Sequence, residues 1–259
     1  MRPAHARWSM PSSTSREVPR HELARTRLAA IVNSREAKPV TIEVNATTRV
    51  SGLLSFAPES KACFVVAHGA GAGMQHPFMV KLASDLAGRS IATLRYQFPY
   101  MEKHGRRPDP PALCHATVRA AVDAARSLLP ALPLFAGGKS FGGRMTSQAQ
   151  AANPLPEVRG LAFLGFPLHP PKQPSDSRAA HLLKVQVPML FLQGARDLYA
   201  EPELLNPLIT LLADRATLML LPDADHSFHV PARSRFTDSQ INDDMINALS
   251  GWIGAVTRR

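Results

Sequence analysis

Gly138-Lys139-Ser140-Phe141-Gly142 lies between two contrasting stretches of chain. Before it, Leu132-Pro133-Leu134-Phe135-Ala136-Gly137 is short and apolar, as a buried strand should be. After it, Gly143 to Ala152 reads as a helix. A G-x-S-x-G between a strand and a helix is the pattern of a nucleophile elbow. There the serine occupies a sharp, strained turn that lifts its hydroxyl clear of the sheet, and glycines flank it because side chains would strike the neighbouring elements. The pattern also aims the amide of Phe141 at whatever the serine attacks. A glycine-rich turn capped by a serine would look the same over five residues, so the rest of the chain has to decide.

Outward from the elbow, strands and helices alternate. On the N-terminal side, Val40–Val44 and Val50–Leu54 alternate in polarity around Asn45-Ala46-Thr47-Thr48, which predicts an edge hairpin. Ala62–Ala67 is a continuous apolar run, as expected of a parallel strand buried on both faces. His68-Gly69-Ala70-Gly71-Ala72-Gly73-Met74 follows it directly. That loop could cradle a phosphate or supply an oxyanion amide, but no G-x-x-x-x-G-K-[ST] is present. A helix with Phe78, Met79, Leu82 and Leu86 on one face leads to a strand at Ile91–Tyr96. The stretch 97–111 reads as a long loop, and Leu113–Leu129 as a helix returning to the elbow strand. Beyond the elbow helix come strands at Val158–Phe166, Val187–Gln193 and Ala216–Leu221. A proline-rich loop at 167–174, a helix at Glu203–Leu212 and a closing helix with Ile241, Met245, Leu249, Trp252 and Ile253 on one face complete the chain. This alternation predicts an α/β fold, with a mostly parallel central sheet, helices on both faces and no room for a large lid domain.

A serine hydroxyl needs a base within reach, and the base needs a carboxylate to fix its tautomer. Asp197 follows one strand end and His226 follows the next, both on the sheet edge that carries Ser140. The order Ser, Asp, His at three strand ends is that of a hydrolytic triad. Asp223 and Asp225 are rival acids, but they share a loop with the histidine, and Asp197 could instead cap the helix after it. His229 is a rival base, three residues too late. His68 is expected to hold its own loop rather than react. Ala70 N–H, or Gly71 N–H, is expected to join Phe141 N–H in an oxyanion hole. Cys63 and Cys114 are the only cysteines and are expected to be inert core thiols. With no disulfide framework they suit a reducing, cytoplasmic setting. No His/Cys/Asp cluster has metal spacing, so neither metal nor cofactor is expected.

The net charge is +10, and half of it falls in residues 1–39, which hold eight Arg/Lys against three Glu. The expected domains are a basic N-terminal extension at 1–38, disordered or partly helical over His21–Val32, and a single α/β domain at 39–259. A solvated tail accounts for the charge better than nucleic-acid binding, because no basic stripe interleaves with aromatics. No apolar run approaches the ~18 residues of a membrane span, so no membrane partner is expected. Arg95, Arg106, Arg107, Lys139 and Arg144 could gather at a pocket mouth. Arg106 and Arg107 are the candidates for clamping a substrate anion, unless the cations pair with Glu102 and Asp109. Tyr100 and His169, on strand-end loops, are further candidates for substrate contact.

Several stretches together resemble the dienelactone-hydrolase-like branch of the α/β-hydrolase superfamily. They are His68–Met74, Phe98–Glu102 with Gly105–Pro108, Gly138–Arg144, Pro167–Pro171, Phe191–Gly194 with Arg196-Asp197, and Ala224–Phe228. More closely, they resemble bacterial hydrolases related to testis-expressed protein 30 and to the scaffold subunit of the NSL histone-acetyltransferase complex. The resemblance spans about residues 40–255. It implies an α/β-hydrolase fold and a serine hydrolase cleaving an ester or thioester of a small acyl substrate. Dienelactone hydrolases proper carry cysteine as nucleophile, and this chain has Ser140 there. The eukaryotic relatives imply an alternative, a non-catalytic binding or scaffold protein on the same fold.

Overall fold

A computed structural model describes residues 37–258. All but the last two residues of the expected extension 1–38, with the helix expected over His21–Val32, lie outside the described residues. Eight strands form one sheet in the order β1-β2-β4-β3-β5-β6-β7-β8. The hairpin β1 (Lys38–Asn45) and β2 (Thr48–Ser55) is antiparallel and joins antiparallel to β4 (Ile91–Tyr96). From β4 the sheet runs parallel through β3 (Ala62–Ala67), β5 (Leu134–Lys139), β6 (Val158–Leu164), β7 (Met189–Gly194) and β8 (Ala216–Leu221).

Both faces are covered, so the inner strands are buried at almost every position and are mostly apolar. In β3 all six residues are buried. Cys63, Val65 and Ala67 point to one core, and Ala62, Phe64 and Val66 to the other. The first core is filled by α3 (Pro111–Leu128), α4 (Phe141–Ala152) and α5 (Pro202–Leu212), through Val118, Met145 and Leu205 among others. The second is filled by α1 (Pro77–Ala87) and α6 (Asp238–Thr257), through Leu82, Leu86, Met245 and Leu249. Proline stands in the first turn of α1, α3 and α5. Its missing N–H costs nothing there, and its fixed φ favours the helix. Thr237 and Gln240 close a capping box at the start of α6.

Two stretches depart from expectation. The supposedly irregular segment 97–111 contains α2 (Pro99–Glu102), one turn with Pro99 in its first position. The proline-rich loop after β6 runs on into a 3-10 helix, Ser177–Lys184, whose Ala179 and Leu182 are buried. One turn is too short to show a period, and the 3-10 stretch buries only two of its residues, so neither element is visible as a pattern. Among the described residues no separate lid subdomain interrupts the β6–β7 connection.

Candidate active site

Ser140 links β5 to α4 with φ 50° and ψ −115°. A non-glycine residue there carries roughly 1–3 kcal/mol of strain, which its surroundings must hold. Its N–H donates to Leu164 O at 3.1 Å, and its own carbonyl accepts from Arg144 N–H at 3.1 Å. The flanking glycines are dictated by close approach. A Cβ on Gly138 would lie 2.5 Å from Ala67 O, and one on Gly142 would lie 2.5 Å from His68 O.

The turn after β8 brings His226 to this hydroxyl, with Nε2 2.8 Å from Ser140 Oγ. The turn after β7 brings Asp197, whose Oδ2 lies 2.7 Å from His226 Nδ1. Asp197 is 1% exposed. Its Oδ2 also accepts from Gln193 Nε2 at 2.5 Å, and its Oδ1 from Tyr199 N–H at 2.9 Å. Gln193 in turn takes Phe166 N–H on its Oε1 at 2.8 Å, so the amide is fixed from both ends. The Tyr199 ring packs against His226 with centroids 4.3 Å apart. Lys139 Nζ donates to the His226 carbonyl at 2.5 Å. Burial pushes this amine down to about 8, with Asp197 and Asp225 pulling the other way.

The rivals are otherwise occupied. Asp225 Oδ1 accepts the amides of Ser227 and His229, at 2.7 and 3.0 Å. Asp223 accepts from Ser234 Oγ. His229 is exposed and bonds Asp238 at 2.6 Å, which raises its pKa. Glu201, not Asp197, stands at the N-cap position of α5. A second serine–histidine contact joins Ser147 Oγ to His181 Nε2 at 2.7 Å. There Ser147 Oγ also bonds Arg144 O at 2.9 Å, which ties the hydroxyl to its own helix. Burial first, then Arg144, hold His181 down to about 4, with a backbone bond to Arg178 opposing, and no carboxylate bonds its ring among the described residues.

The glycine-rich loop after β3 is pinned from several sides. His68 is fully buried, with Nδ1 on Gly69 O at 2.8 Å and Nε2 accepting Phe98 N–H at 3.0 Å. Tyr100 donates its hydroxyl to Ala70 O at 2.8 Å. Met74 N–H donates to Gln97 Oε1, and Met74 O accepts from Arg95 Nη1. The amides of Ala70 and Phe141 make no hydrogen bond among the described residues, and both residues line the same cavity as Ser140 and His226.

That cavity is about 730 Å³, within the range that takes a small organic ligand. Phe78, Met79, Met145, Pro108 and Pro167 supply apolar wall, and Lys139, Arg144 and Arg178 supply cations. Several expected contacts fall elsewhere. Arg106 and Arg107 are exposed and do not line it, because the segment turns them to solvent before Pro108 reaches the wall. His169 is buried away from the cavity against Glu201 Oε2, at 2.5 Å. Tyr100 is buried behind the Ala70 loop, and Arg95 beneath it. Nor do the cations pair with the two acids considered. Glu102 accepts from Ser51 N–H and Oγ–H, and Asp109 accepts from Tyr100 N–H at 2.7 Å. Cys63 and Cys114 are buried free thiols, both raised to about 12, first of all by burial.

Sequence reasoning missed Gln193, Tyr199 and Arg178. A glutamine closing an apolar strand was the one available signal. The other two stand in stretches without periodicity.

Residues 60–254 match the family model described as alpha/beta hydrolase domain. Among solved structures, a dienelactone hydrolase from Anabaena variabilis ATCC 29413 is similar at 20% identity and a TM-score of 0.68, over 86% of this chain and 99% of that one. An alpha-beta serine hydrolase homologue from Coxiella burnetii matches at 16% identity and 0.67, over 84% and 99%. An alpha/beta serine hydrolase without lid from Xanthomonas campestris matches at 20% and 0.63, over 88% and 96%. At these identities the likeness is one of fold.

Proposed function

The chain belongs to the alpha/beta hydrolase domain family, and on that premise we propose that it is a serine hydrolase cleaving an ester or thioester of a small acyl compound. The observation that carries this reading is the relay from Ser140 Oγ to His226 to Asp197, at 2.8 and 2.7 Å, at the wall of a ligand-sized cavity.

Ser140 Oγ attacks the acyl carbon as its proton passes to His226 Nε2. Asp197 Oδ2 accepts from Nδ1–H, which fixes the tautomer and stabilises the imidazolium. The tetrahedral oxyanion takes hydrogen bonds from Phe141 N–H and Ala70 N–H, whose free amides border the same cavity. His226 then protonates the leaving alcohol or thiol, and the acyl group remains on Ser140. A water gives its proton to His226 and attacks the acyl-enzyme. The acid leaves as the proton returns to Ser140. Backbone amides suit this task because they are held rigidly and need no reorganisation during the reaction.

A non-catalytic scaffold role is less well supported, since nothing in it requires the relay to stay aligned. We also propose kinship with the bacterial relatives of testis-expressed protein 30 and the NSL scaffold subunit, on the stretches named above. The layout we propose is one catalytic domain at 39–259 behind a basic extension at 1–38. The two unbridged cysteines support a reducing, cytoplasmic setting. No described helix is long and apolar enough to cross a membrane. A fluorophosphonate probe tests the activity: it should label the wild type and not Ser140→Ala, and turnover of an acyl-ester panel should fall by several decades in that variant. If folded Ser140→Ala keeps more than about a tenth of the wild-type rate, the assignment fails.

A further inference from the structure

Arg144 stands one helical turn past Ser140, on the elbow helix, and lines the cavity. Its side chain is half-buried, and its Nε is buried without a hydrogen-bond partner. No ion pair engages its guanidinium among the described residues; its one recorded side-chain contact is with the Phe141 ring, 5.6 Å from guanidinium carbon to ring centroid. Arg178, from the 3-10 helix after β6, lines the same cavity, and its guanidinium likewise has no hydrogen bond or ion pair among the described residues. Arg178 also helps to lower the Arg144 pKa, after burial. No other side chain makes an ion pair with either guanidinium among the described residues. His181 and His115 are both lowered by burial first, with Arg144 acting in the same direction. Asp109 lines the cavity too, but its carboxylate is engaged by Tyr100 N–H.

Two guanidiniums that line one cavity without an ion pair, one of them with a buried donor left over, leave N–H groups that an anion would complete. A carboxylate matches guanidinium geometry with paired N–H···O bonds. We propose that Arg144 and Arg178 form an anion subsite, and that the substrate is an acyl ester or thioester carrying a second, free carboxylate. This rests on the serine-hydrolase reading and names the substrate class of that same site. It also moves the anion contact from the exposed Arg106 and Arg107 to a pair that faces the nucleophile.

The test compares the p-nitrophenyl half-ester of adipic acid with the p-nitrophenyl ester of 6-methylheptanoic acid, in which an isopropyl group replaces the carboxylate. At low salt the charged ester should have a kcat/KM at least about tenfold higher, and the ratio should shrink as salt rises. Arg144→Gln and Arg178→Gln should each bring the ratio towards one, while Arg106→Gln with Arg107→Gln should leave it as in the wild type. Arg178 is on a short surface helix, so its variant serves if Arg144→Gln does not fold. Calorimetric titration of free adipate into Ser140→Ala separates the two readings. Binding that weakens in Ser140→Ala/Arg178→Gln supports the subsite even if neither ester is turned over. Equal kcat/KM for the two esters in the wild type, or adipate binding unaffected by loss of either arginine, would overturn the proposal.

Discussion

His68 gives the sharpest link between a buried side chain and a measurable property. Burial pushes its imidazole down to about 4 from an ordinary 6.5, with its bond to Gly69 O opposing. The neutral form is the one the fold uses, because Nε2 must accept Phe98 N–H. A group whose folded pKa is depressed contributes stability above its unfolded pKa and loses it as the pH falls. Here the loss begins near pH 6.5 and is nearly complete at pH 4. At about 1.4 kcal/mol per pKa unit, the shift corresponds to a loss of about 2 kcal/mol by pH 5 and about 3 kcal/mol by pH 4. Glutamine can replace both hydrogen bonds, accepting from Phe98 and donating to Gly69, without titrating. Urea unfolding of wild type and His68→Gln between pH 7.5 and pH 4 would measure the difference. The two proteins should converge, or cross in favour of the variant, as the pH falls, while the variant is less stable at pH 7.5. Parallel stability curves would refute the reasoning, since His68 would then not be the group taking up the proton.

Three further outcomes follow from the same geometry. Ala70→Pro deletes one free amide of the proposed oxyanion hole and should lower kcat by ~10²–10³ in a folded protein; an unchanged rate transfers the role to Gly71. Tyr100→Phe loses the bond that holds Ala70 O, net worth about 1 kcal/mol, so kcat should fall several-fold with KM little changed, read from steady-state kinetics. Gly142→Ala forces a Cβ to 2.5 Å from His68 O and should cost about 1–3 kcal/mol in a denaturant titration.

The amino-acid sequence by itself determined the alternation of strands and helices. A strand covered on both faces is mostly apolar along its whole length, as Ala62–Ala67 is, and that signal is local. The sequence also marked Ser140, Asp197 and His226, because each stands just past an apolar run and such runs end at the same sheet edge. The glycines around Ser140 carried the backbone strain into the sequence in readable form. The tertiary structure alone decided how the remaining polar groups are shared out. Asp197 bonds the histidine while Asp225 serves its own turn, a choice set by how the β7 and β8 turns meet. Tyr100 and His169 are buried as supports, and Arg144 with Arg178 reaches the cavity where Arg106 and Arg107 do not. Side-chain direction in α2 and in the 3-10 helix after β6 depends on packing against distant elements. Both are too short for a periodicity from which to infer it.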